Sequence, residues 1–227
     1  MNNWTISRRI IAGFVTLVVF AVALGAFALW RLTGLAQDIG HLADNSIPSV
    51  LMLSEAANVS RDNLISLLQM DEGATERNSQ LEEKIAANTG RRDILLNNYE
   101  ALISEEEDRR LFEDVKRARD VMTASRSRAI ELMKENKPDD SRKMQQEVVV
   151  PDYQKYLKAI DLDIDYNEKL AKTYANDGKA SALLSVRLVG ICLGLLILVA
   201  SLLAWAIIRS TNRALGNITV NLDRGAV

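Results

Sequence analysis

Two uncharged apolar runs constrain this chain more than any other feature. Ile10–Trp30 (IIAGFVTLVVFAVALGAFALW) and Leu188–Ile208 (LVGICLGLLILVASLLAWAII) each hold 21 residues without an Asp, Glu, Lys or Arg. At about 1.5 Å of rise per residue, each covers the roughly 30 Å hydrocarbon core of a lipid bilayer. Lipid offers the backbone no hydrogen-bond partners, so both runs are expected to be helices. The first run follows Arg8-Arg9 and contains Ala26-x-Ala28, as a signal peptide would, but it exceeds the usual length of a signal h-region and reads as an uncleaved anchor.

Charge on the short flanks sets the orientation. The segment before the first run has Arg8 and Arg9 and no acid; the segment after the second has Arg209, Arg213 and Arg224 against Asp223. Both ends are therefore expected on the cytoplasmic side and the middle outside. Trp30 and Trp205 lie near run ends, where an amphipathic ring prefers the interface. Gly190-x-x-x-Gly194 and Ala21-x-x-x-Gly25 have the spacing that lets spans approach closely. The expected division is 1–9 cytoplasmic, 10–30 first span, 31–187 external domain, 188–208 second span and 209–227 cytoplasmic tail.

The external segment is long enough to bury one core. It carries 23 Lys/Arg and 29 Asp/Glu, about −6, with the signs interspersed, which gives no footprint for nucleic acid. The single cysteine, Cys192, sits inside the second run, so no intrachain disulfide can form. The single histidine, His41, cannot build a metal site or a Ser/His pair alone. With no glycine-rich phosphate loop either, the sequence predicts no catalytic residue, no metal and no cofactor.

Few prolines, few glycines and sparse aromatics point to long helices. Leu32, Leu35, Ile39, Leu42, Val50, Leu53, Ala57, Leu64 and Leu68 keep three-four spacing, so the first helix continues out of the span, kinked or locally broken at Pro48 and ended by Asp71-Glu72-Gly73. A second helix runs from about Glu76 to Ile103, with Leu81, Ile85, Leu95, Tyr99 and Leu102 inward. Ser104 with Glu107 reads as a capping box opening a third, whose core side holds Leu111, Val115, Ala118, Met122, Ala129 and Met133. Lys137-Pro138-Asp139-Asp140 turns the chain into a fourth, interrupted at Pro151, that feeds the second span. The fold class is thus all-α: an antiparallel four-helix bundle flanked by two transmembrane helices. Ile160-Asp161-Leu162-Asp163-Ile164-Asp165 alternates as a strand would, yet its flanks are helical and helix is expected. As a calcium loop it fails, because Tyr166 and Lys172 stand where glycine and glutamate are needed.

With these parts placed, the chain resembles the sensory half of bacterial methyl-accepting chemotaxis receptors. The resemblance lies in Asn3-Trp4-Thr5-Ile6 with Arg8-Arg9 and Gly13-Phe14, in Asn45-Ser46-Ile47-Pro48 followed by Arg61, and in the stretch from Ala129 through Glu147-Val148-Val149-Val150-Pro151, Tyr153, Asn167 and Ala171. It implies a homodimer in the bacterial inner membrane, with a periplasmic domain that binds a small solute and a signal passed down the fourth helix to a kinase-coupled partner. Arg209–Leu222 resembles the opening of a HAMP linker, with Ala214-Leu215 where the family usually has Pro-Leu. The nineteen residues after Ile208 are too few for the family's kinase-control rod; a truncated receptor, a fragment and a short relative remain open.

Helix rise also suggests a ligand level. Arg61 lies thirty residues beyond Arg31, about 45 Å up, and counting back thirty from Arg187 reaches Leu157, beside Tyr153 and Tyr156. An arginine with two tyrosines suits a small carboxylate. The resemblance adds that Arg61 falls where related receptors often bind an anion. The competing reading has Arg61 paired locally and the tyrosines in the core. Arg109, Arg110, Lys116, Arg117, Arg119, Arg126 and Arg128, interleaved with acids, read as one solvated face. Against a sensor stands a membrane-anchored helical adaptor that binds another protein, which an exposed apolar patch would favour.

Overall fold

Hydrophobic spacing and turn chemistry explain the architecture almost element by element. The computed structural model describes residues 6–225, so Asn3-Trp4-Thr5 lies outside the described residues, as do the side chains of Ala214 and Leu215. The helices are α1 (Ile6–His41), α2 (Ile47–Leu68), α3 (Thr75–Glu100), α4 (Glu106–Lys134), α5 (Pro138–Met144) and α6 (Val150–Gly225). No strand occurs among the described residues. The chain divides into two compact units, Ile39–Asn176 and a second made of Met1–Asp38 with Asp177–Val227.

Within Ile39–Asn176, α2, α3, α4 and the α5–α6 segment form a four-helix bundle. Leu53, Leu67, Leu96, Phe112, Val115, Met122, Val149 and Ile160 fill its core, with Tyr99, Tyr153 and Tyr156 fully buried among them. Gly73 turns the chain between α2 and α3 at φ 77°, where a Cβ would be strained. Asn136 takes the same left-handed role after α4 at φ 59°, and Pro138 starts α5 where its missing N–H costs nothing. The expected capping box does not form. Glu105, not Ser104, is the residue before α4, and no side chain caps it. Three acids in the first turn, Glu106, Glu107 and Asp108, meet the helix dipole instead.

The two mid-helix prolines do not break their helices. Each follows a single π-helical turn: Leu42–Ser46 before Pro48 and Gln145–Val149 before Pro151. The N–H of Ile47 bonds Leu42 O and that of Val150 bonds Gln145 O, five residues back. Proline has no N–H for the carbonyl four residues behind it and its ring crowds that carbonyl; widening the helix by one residue relieves both. Asn45, inside the first π-turn, donates from Nδ2 to Leu102 O at 2.7 Å and ties the turn to the α3–α4 connection.

In the other unit the two apolar runs are exposed along much of their length, including Phe14, Val22, Trp30, Ile191, Ile197 and Trp205. They lie in helices long and apolar enough to cross a membrane. Gly13 meets Leu203 and Ile207 at 4.0 and 3.6 Å from an ideal Cβ, whereas Gly25, Gly190 and Gly194 face open space. The small-residue pairs expected to pack the spans are thus not used within this chain. Arg31 donates from Nε to Ser185 Oγ at 3.0 Å.

Candidate functional site

Tyr156 packs against the stretch of α2 that holds Arg61, but on its inner face. Tyr156 Oη faces Ser60, the residue beside Arg61, and Ser60 donates to Ala56 O at 2.7 Å. Ser60 is inside the bundle, whereas Arg61 is exposed and donates to Asn58 Oδ1 at 2.9 Å. Tyr153 and Tyr156 are 0% exposed. The structure therefore does not gather the three into one site within a single chain.

What Tyr153 and Tyr156 do join is a buried basic layer. Arg92 of α3 and Arg126 of α4 are 2% and 5% exposed. Both sit on their helices' core stripes, Arg92 between Ile85 and Tyr99, Arg126 between Met122 and Ala129. Arg92 is compensated: Nε and Nη2 donate to Asp93 Oδ1 at 2.9 and 2.8 Å, and Nη1 reaches Thr123 Oγ1 at 3.4 Å. Arg126 is not. Among the described residues it forms neither an ion pair nor a hydrogen bond, and its Nη1 is sealed from solvent without a partner. The hydroxyls of Tyr153 and Tyr156 are likewise buried and unpartnered. Burial pushes both phenols above their ordinary range; Arg126 pulls Tyr153 back, and Ser60 and Arg92 pull Tyr156 back. Reading the α4 cations as one solvated face is thus corrected at Arg126. Its neighbours do follow it: Arg110 bonds Glu107, Arg117 bonds Asp114 and Arg128 bonds Glu131 on exposed surface.

A second buried layer lies further along α6, at Asp163 and Asn167. Tyr99, Asp108, Asp163 and Asn167 are 0–2% exposed. Tyr99 Oη stands 2.5 Å from Asp108 Oδ1 and 2.7 Å from Asp163 Oδ1. Asn167 Nδ2 reaches Tyr99 Oη and Asp108 Oδ1, both at 3.0 Å. One phenol carries one proton and cannot donate to both carboxylates, so an aspartic acid must supply another. Burial is the main cause that pushes the Asp163 carboxyl up to about 8, and the Asp108 side chain adds to it. Tyr99 is raised far above its ordinary range, first by burial and then by Asp163. Asp163 also explains the strand-like alternation of the sequence: it is a buried acid on the core face of a helix, with exposed Asp161 and Asp165 on either side.

The outer surface of α2 carries a third feature. Ile47, Leu51, Ser54, Asn58, Arg61, Ile65 and Leu68 follow alternating four- and three-residue steps, and Ile47, Leu51, Ile65 and Leu68 are 48%, 63%, 51% and 49% exposed. This is a heptad seam facing away from the bundle core, with Arg61 in its polar middle. The spacing is present in the sequence beside the core stripe.

A family model described as a four helix bundle sensory module for signal transduction matches residues 3–182. No match was found among curated proteins.

Proposed function

Starting from the premise that the chain belongs to the four-helix-bundle sensory modules of signal transduction, we propose that it is the input module of a transmembrane receptor. In this reading it crosses the bacterial inner membrane twice, with both ends cytoplasmic, and its bundle binds a small carboxylate in the periplasm. The observation that carries the reading is α6. One helix supplies Tyr153, Tyr156, Ile160 and Asp163 to the bundle core and continues without interruption through the apolar run Leu188–Ile208. A displacement of 1–2 Å along such a helix is enough to couple sites by 1–3 kcal/mol.

The α2 seam supports a homodimer, its exposed apolar ends pairing with those of a second copy and Arg61 lying between the two. In that place Arg61 meets a carboxylate as a fork, while Tyr153 and Tyr156 serve from inside the protomer. The same apolar seam keeps the adaptor reading alive, with a different protein as the occupant. The readings separate on the full chain in lipid nanodiscs. A thermal-shift screen against small organic acids is expected to yield a stabilising solute, and Arg61→Ala to lose part of that response with helicity intact. A purified chain that is monomeric, responds to no solute and captures another protein through α2 would favour the adaptor. Protease mapping that placed the two ends on opposite faces would refute the topology.

A further inference from the structure

We propose that the groove between α3 and α4 is a second binding site, specific for a small monocarboxylate whose charge is held by Arg126. The site rests on the reading of this chain as a solute sensor and is separate from the Arg61 seam. Its warrant is an imbalance of charge. Arg126 is 5% exposed, yet among the described residues no acid pairs with it; its Nη1 is buried without a partner, and the neighbour it acts on is the neutral hydroxyl of Tyr153. A guanidinium does not escape burial by losing its proton, because its charge is delocalised over three nitrogens and strongly held. A buried, unpaired charge is costly, so an anion that enters here gains more than it would on the surface.

The acids nearest the groove are already engaged. Glu131 accepts from Arg128 at 3.1 Å, and Glu82 pairs with Lys134 at 2.5 Å. Arg126 forms part of the wall of a groove of about 480 Å³, within the range of small-ligand sites. Ile85, Ala86 and Ile130 give it apolar sides and Ser127 offers a hydroxyl, while that of Thr89 already donates to Ile85 O at 2.7 Å. A carboxylate on Arg126 would lay a short apolar body along those sides. Besides Arg126 the groove is lined by Glu82, Glu131 and Lys134, which leaves one excess negative charge for a second carboxylate on the ligand to meet.

The test uses the full chain in detergent, unfolded by heat with millimolar sodium benzoate, butyrate or succinate against sodium chloride at matched ionic strength. Benzoate or butyrate is expected to raise Tm by several degrees in the parent chain, and succinate to raise it less. Arg117→Ala, on the exposed surface of α4, should keep that shift and Arg126→Met should abolish it. Without ligand, Arg126→Met should unfold at a higher temperature than the parent, because an unpaired buried charge is gone. A shift that survives Arg126→Met overturns the proposal; if Arg61→Ala removes it instead, the seam reading stands alone. Failure of Arg126→Met to fold, or a lowered Tm without ligand, would mean that the bundle already compensates the guanidinium, and overturns it too. No response of the parent to any of the three acids also overturns it. In that case the sensor reading survives only if another solute shifts Tm.

Discussion

The basic and acidic layers are both buried, both built around tyrosine, and resolve the same problem in opposite ways. Asp163 can shed charge by keeping a proton, and Tyr99 and Asn167 link it to Asp108, although Asp163 Oδ2 and Asn167 Oδ1 are buried without partners. Arg92 and Arg126 have no such option. One borrows Asp93, and the other is left with a sealed Nη1 beside an unpartnered phenol. The comparison teaches that buried charge of one sign can be relieved within the fold by a proton, whereas the other sign asks for a counter-charge.

The largest effect that would sharpen this contrast is pH. With Asp163 raised to about 8 in the fold and near 3.9 when unfolded, the folded chain binds more protons between those values. Its contribution to stability is therefore full below about pH 4, falls as pH rises, and is gone above about 8. The slope is at most about 1.4 kcal/mol per pH unit from this group. Urea melts of the parent chain and Asp163→Asn across that window should show the slope in the first and a much flatter line in the second; equal slopes would break the assignment. Next in size, Tyr99→Phe removes the hydroxyl that bridges two buried carboxyl groups and should cost about 1–3 kcal/mol. Smallest is Tyr153→Phe, which removes a hydroxyl that bonds nothing and should change stability by less than about 0.5 kcal/mol. If the two phenylalanine variants cost the same in chemical denaturation, the layers do not differ as described.

Much of the bundle was legible in the sequence. Val115, Met122, Ala129, Ile85 and Tyr99 were expected inside from spacing alone and are buried. The turns at Gly73 and Pro138 followed from their residue chemistry. Less legible was which of two stripes on α2 faces inward, because an apolar seam for a second copy and one for the core obey nearly the same arithmetic. Arg61 fell on the outer one. Arg92 and Arg126 were missed for a related reason: composition argues that arginine is solvated, although their positions on core stripes said otherwise. Asp163 was hidden in the same way by a run that imitated a strand. For Arg92 and Arg126 periodicity carried the correct signal and residue type masked it.

The paired π-turns have a mechanical consequence. Each is an ordinary helix holding one surplus residue, placed at the same offset, six to two positions ahead of a proline. A surplus residue is a phase adapter: excising it would rotate everything upstream by about 100° around the helix axis and shorten the path by about 1.5 Å. Because a bulge of this kind can be absorbed or re-formed one step along the helix, these two places give otherwise stiff rods a small, discrete way to change pitch.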